Sequence, residues 1–185
     1  MSLNIKINFE NTYPTLIIDK DLKSISFESE LKNGTKIPLI IHISSKGHSL
    51  MPDVYNLSFG PLNENNQVDD QIKLTHLDYS KVFSTIVFEA MSFLKQNPNK
   101  YVGIDGSNNS RASLYYRCIQ NNLAYLGDYF IIYGVNYYVR MLRQQEEGNY
   151  LFDTDDLKAI PSEIQSSQRI VSDKLYNYFI FRLKN

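Results

Sequence analysis

Lys100–Val135 carries four changes of backbone character in one unbroken stretch, KYVGIDGSNNSRASLYYRCIQNNLAYLGDYFIIYGV. Tyr101–Ile104 is a short apolar run of strand type. Asp105–Asn109 is a turn of small and polar residues. Ser110–Asn121 has helical spacing, and Tyr129–Val135 is apolar again. Strand, turn, helix and strand in that order restrict the chain to a mixed architecture in which helices cross between strands of one sheet.

The flanking pattern extends this unit. Tyr79, Val82, Phe83, Ile86, Val87, Ala90, Met91 and Leu94 recur at helical spacing, so a helix is predicted over Tyr79–Leu94. Asp78 can cap its start and Asn97-Pro98 stops it. Upstream, Ser24–Glu30 alternates, with Ile25 and Phe27 on one face. Asn33-Gly34 is a two-residue hairpin signal leading into Lys36–Ser44, where Pro38 marks an edge position or an irregular start. Val54–Phe59 reads as a third strand, Asn4–Phe9 as an alternating strand and Gln71–His76 as a short one. Thr15–Ile18 is a strand or an extended connection, and Ser45–Asp53 a polar loop.

The fold class read from this order is α+β. A mainly antiparallel N-terminal sheet continues into a β-α-β-α-β unit with helices packed on the sheet. Residues 1–142 form that domain. Residues 143–185 form an appendage packed on it, read as helical over Ser162–Asn185, although Tyr176–Leu183 equally fits a strand.

A chain of 185 residues can bury roughly 70% of its unfolded surface and needs no metal or disulfide to fold. The net charge of −1 supplies no global field toward nucleic acid or membrane. One cysteine, Cys118, excludes an internal disulfide. No apolar run approaches the ~20 residues of a spanning helix, and the amino terminus lacks a signal-peptide pattern, so a cytoplasmic location without membrane contact is expected. With 14 Tyr and 10 Phe but no Trp, the core is expected to be rich in aromatic rings.

The richest candidate site is the corner Gly106–Arg111. The first amides of a helix lack intrahelical partners and lie at the positive end of its dipole. Ser107, Asn108 and Ser110 add short polar side chains, and Arg111 adds a guanidinium suited to phosphate or carboxylate. The corner is therefore a candidate site for an anionic small molecule or protein partner. The same residues equally suit helix capping, with Arg111 paired to a carboxylate such as Asp105. The glycine spacings of a phosphate-binding loop or a dinucleotide fingerprint are absent. His42, His48 and His76 have no metal-ligand spacing, so no metal or cofactor is predicted. His76 is a candidate general base, and Cys118 sits on the apolar stripe of its helix. Arg140, Arg143, Lys158, Arg169, Lys174, Arg182 and Lys184 give the C-terminal part a basic bias that leaves a nucleic-acid role open.

Two resemblances rest on these residues. Tyr55-Asn56-Leu57-Ser58-Phe59-Gly60, Asp69-Asp70, Lys81-Val82-Phe83, Gly106-Ser107, Arg111 and Leu114-Tyr115 together resemble an uncharacterised bacterial domain family over Tyr55–Val135. That family implies no function. Asn109, Ala112, Leu114 and Tyr115, with the order of elements around them, also resemble the second half of GCN5-related N-acetyltransferases. The second resemblance implies acyl-CoA chemistry, with Tyr115 or Tyr116 as general acid. Its glycine-rich pyrophosphate turn would fall at Thr75–Val82, where this chain has no glycine and places Asp78. Three functions follow in order: a binding module, an acyltransferase-like enzyme, or a nucleic-acid-linked protein.

Overall fold

The computed structural model describes residues 4–70, 72–142, 151–166 and 176–184. Eight strands form one mixed sheet: β1 (Thr15–Ile17), β2 (Ser24–Glu30), β3 (Lys36–His48), β4 (Met51–Gly60), β5 (Tyr101–Asp105), β6 (Phe130–Leu142), β7 (Leu151–Glu163) and β8 (Tyr178–Leu183). Their order across the sheet is β1-β2-β3-β4-β5-β8-β6-β7. β4 and β5 pair in parallel, and the other neighbours are antiparallel. The helices are α1 (Tyr79–Gln96), α2 (Asn109–Asn121) and α3 (Leu123–Leu126). This is the expected α+β class.

α1 forms because its apolar stripe has a sheet to cover. Val82, Ile86, Met91, Phe93 and Leu94 are buried, and Asp78 accepts the Lys81 amide at 2.9 Å to cap the helix. Together with α2 residues Tyr115, Cys118 and Ile119, they cover the large core on one face of the sheet. The other face carries a small cluster, Val54, Val135, Tyr178 and Ile180, contributed by strands alone.

Four expectations are corrected. Within Asn4–Phe9, Phe9 lies in a turn, and the segment pairs with no strand among the described residues. Its amides bond to helix side chains instead: Lys6 to Ser80 Oγ, Ile7 to Asn122 Oδ1 and Asn8 to Ser84 Oγ. Within Gln71–His76, His76 makes a single bridge to Leu31, and Gln71 lies outside the described residues. Ser45–Asp53 is not a loop. β3 runs to His48 and β4 starts at Met51, with register shifts around Gly47 absorbing the polar residues as bulges. The helix expected over Ser162–Asn185 is replaced, where residues are described, by the end of β7 and by β8; residues 167–175 lie outside the description. Tyr178–Phe181 of β8 is a continuous apolar and aromatic run because it sits between β5 and β6 with both faces covered. Phe179 and Phe181 enter the large core, and Tyr178 and Ile180 enter the small one. β8 also separates β5 from β6, so the only parallel contact of the β-α-β-α-β unit among the described residues is β4 with β5.

Candidate functional site

The end of β5 positions the corner found in the sequence. After Asp105 the chain turns at Gly106, whose amide donates to the Asn177 carbonyl at 2.7 Å. A Cβ at Gly106 would stand 2.6 Å from Ala112 Cα, so the close approach of strand end and helix requires glycine there. Asn108 caps α2, its Oδ1 accepting the Arg111 amide at 3.0 Å. The Arg111 guanidinium donates to Ser107 Oγ at 3.2 Å and to the Asp70 main-chain carbonyl. The Asp70 carboxylate stands 3.9 Å from Arg111 Nη1, and the arginine side chain is 20% exposed. Ser110 is exposed in the first turn. Ser107, Asn108, Ser110 and Arg111 thus share one corner, closed on one side by the Asp69–Asp70 turn. The carboxylate facing Arg111 across that ion pair is Asp70. Sequence reasoning named Asp105 for that place, although the acidic turn and the arginine both belong to the motif it had recognised.

Asp105 still belongs to the local field. Burial pushes its carboxyl pKa up and Asp70 adds to the rise, while His48 and Arg111 oppose it. Its neighbours on the sheet face that carries the small cluster form a second set of groups. Tyr178 is the cross-strand partner of Asp105 and of Val135, and Tyr137 lies two residues beyond Val135 on β6. The bulged end of β3 brings His48 onto both tyrosines, with ring centroids 6.2 Å from Tyr137 and 5.4 Å from Tyr178. The Leu50 amide donates to His48 Nδ1 at 3.2 Å, which places the ring proton on Nε2. Nε2 then donates to Tyr137 Oη at 3.3 Å.

The Tyr178 ring leans over Gly103, where a Cβ would stand 2.1 Å from its hydroxyl. Tyr178 is 4% exposed, and its hydroxyl oxygen has no hydrogen-bond partner among the described residues. Burial drives its pKa strongly upward, with Tyr137 and Asp105 adding to the rise. Burial and Asp105 also raise Tyr137. Sequence reasoning missed Tyr137 and Tyr178 as site residues, because only strand register brings them to His48 and Asp105.

The remaining candidates separate. Tyr115 is buried against Phe83 and Phe179, and burial pushes its hydroxyl up to about 12. Tyr116 accepts from Gln120 Nε2 at 3.0 Å and its ring lies 6.4 Å from that of Tyr176. Burial holds the Cys118 thiol up to about 12. Beneath α1 and α2 lies a cavity of about 40 Å³ lined by apolar residues including Leu57, Ile86, Ala90 and Val102, a packing void without polar anchors. His76 is buried 2.8 Å from Ser29 Oγ and its pKa is lowered by burial, whereas His42 is exposed on β3. Among the described residues no group of three His, Cys, Asp or Glu stands close enough to hold a metal. No described helix is long and apolar enough to cross a membrane.

Of the basic residues, Lys158 pairs with Asp156 at 2.8 Å, Arg182 lies over the Tyr101 ring, and Lys184 donates to the Gly127 carbonyl. Arg143, Arg169 and Lys174, and the side chain of Arg140, lie outside the described residues.

A model of the "Family of unknown function (DUF6934)" matches residues 10–153, a span that contains the whole of Tyr55–Val135. No curated protein and no solved structure matches the chain.

Proposed function

We propose that this chain, which belongs to that family of unknown function, is a non-catalytic binding module that receives an anionic group of a small molecule or protein partner at Ser107, Asn108, Ser110 and Arg111. One observation carries the reading. The Arg111 guanidinium is held at the start of α2 by two neutral acceptors, Ser107 Oγ and the Asp70 carbonyl, while the Asp70 carboxylate stands off at 3.9 Å. A positive charge oriented by neutral groups retains most of its capacity for a two-point anion contact. The burial of Tyr115 and Cys118 supports binding over catalysis, since neither side chain is open to a ligand at the corner.

Titration of inorganic phosphate, followed by amide shifts of residues 106–111, tests the proposal. Saturable shifts are expected in the native protein and their loss in Arg111→Ala. Asp70→Asn is expected to tighten binding, because the competing carboxylate is gone. An ion pair as long as 3.9 Å with the Asp70 side chain 46% exposed is worth under about 1 kcal/mol, so Arg111→Ala is expected to keep a near-native Tm. Equal phosphate affinity in Arg111→Ala, or a large loss of Tm, would count against the proposal.

An acyltransferase-like reading is favoured by one feature, the parallel β4–β5 pair joined through α1 within an otherwise antiparallel sheet. Against it, Asp78 occupies the start of α1, where a pyrophosphate would meet its charge. Millimolar acetyl-CoA raising the Tm would support this reading, and no shift would end it.

A further inference from the structure

On the sheet face that carries the small cluster, beside the corner but independent of its anion reading, we infer that Asp105, Tyr137 and Tyr178 form a binding site for a primary ammonium group carried on a small organic ligand. Three observations carry this. The Tyr178 hydroxyl is buried without a partner among the described residues, its ring packed against the backbone at Gly103. A buried hydroxyl of this kind is unusual unless something outside the chain completes it. The oxygens of Asp105, Tyr137 and Tyr178 lie on one face: Asp105 and Tyr178 are cross-strand partners, and each hydroxyl is within electrostatic reach of the Asp105 carboxylate. An ammonium offers three N–H donors, one for each of these oxygens. Tyr137 Oη remains able to accept, since His48 uses one of its lone pairs.

Asp105 supplies a carboxylate to such a ligand, with Asp70, Arg111 and His48 also within electrostatic reach of it. The rings of His48, Tyr137 and Tyr178 add faces that attract a cation and an apolar wall for the ligand's carbon body. Asp105 and Tyr137 are exposed and form the mouth, and Tyr178 forms the floor.

Benzylammonium and the isosteric neutral benzyl alcohol are the probes, titrated into the full chain by amide chemical shift. The native protein is expected to bind benzylammonium saturably and the alcohol at least about tenfold more weakly. Asp105→Asn should weaken the ammonium by about tenfold or more and Tyr178→Phe by several-fold, while Arg111→Ala leaves it unchanged or tighter. Tyr178→Phe removes one atom from a packed ring, so it remains a folded test should Asp105→Asn not fold. Equal binding of amine and alcohol, undiminished binding to Tyr178→Phe, or no saturation with the native protein would overturn the inference. Phosphate binding at Arg111 can succeed or fail without affecting any of these results.

Discussion

Replacing Tyr178 by Phe should stabilise the protein. The residue is 4% exposed and its hydroxyl oxygen lacks a partner among the described residues. An unsatisfied buried hydroxyl costs about 1–3 kcal/mol in lost hydration, and that cost disappears with the oxygen. Against this stands the small void left behind. Roughly 10 Å³ at ~24 cal/mol per Å³ amounts to about 0.2 kcal/mol. The ring contacts with His48 and with the backbone at Gly103 persist, because they belong to the ring. The net gain is at least about 1 kcal/mol, which for a chain of this size appears as a Tm rise of about 2–4 °C. Differential scanning calorimetry of both proteins without added ligand measures it. An unchanged or lower Tm would refute the reasoning, because it would mean that the hydroxyl is already hydrogen-bonded in the unliganded protein. A rise would also fit a hydroxyl kept for binding at the expense of stability.

Asp78→Ala removes the cap on the Lys81 amide and should lower stability by about 1 kcal/mol in urea unfolding, whereas Asp78→Ser should retain most of it. Cys118 should resist alkylation at pH 8 in the native protein and react readily in urea, since burial keeps the thiol protonated up to about 12. A folded pKa raised above the ordinary 9.0 contributes stability that is fully present below pH 9 and is lost as pH climbs toward 12. The alkaline fall in Tm should therefore begin at higher pH in Cys118→Ala. His76 has the opposite sign. Its lowered pKa keeps the folded ring neutral, so the protonation midpoint measured by NMR should lie below 6.5, and its contribution to stability fades as pH falls below that value.

The elements that could be read from the sequence are those whose signals are local. The alternation of Ser24–Glu30, the turn at Asn33-Gly34 and the stripe of α1 each fall within one short window, and each forms where expected. Asn4–Phe9 shows why alternation alone is insufficient. It has a strand's pattern, yet side chains of α1 and of Asn122 satisfy its backbone in place of a neighbouring strand. β8 has the reverse problem. Buried on both faces, its Tyr178–Phe181 run carries no period that separates strand from helix, and its place between β5 and β6 depends on pairings more than forty residues apart in sequence. The corner at Ser107–Arg111 was legible because one strand end and one helix start define it. Asp70 and the His48–Tyr137–Tyr178 group were not, because they meet only through long-range register and two β-bulges.

The central claim, that the start of α2 receives an anion, is tested most directly by soaking crystals of the protein in selenate and measuring anomalous scattering at the selenium edge. The account predicts a selenium peak within hydrogen-bond reach of the Arg111 guanidinium and the Ser107 hydroxyl, absent in crystals of Arg111→Ala. Selenium peaks confined to other surfaces, with Arg111 still on Asp70, would contradict it.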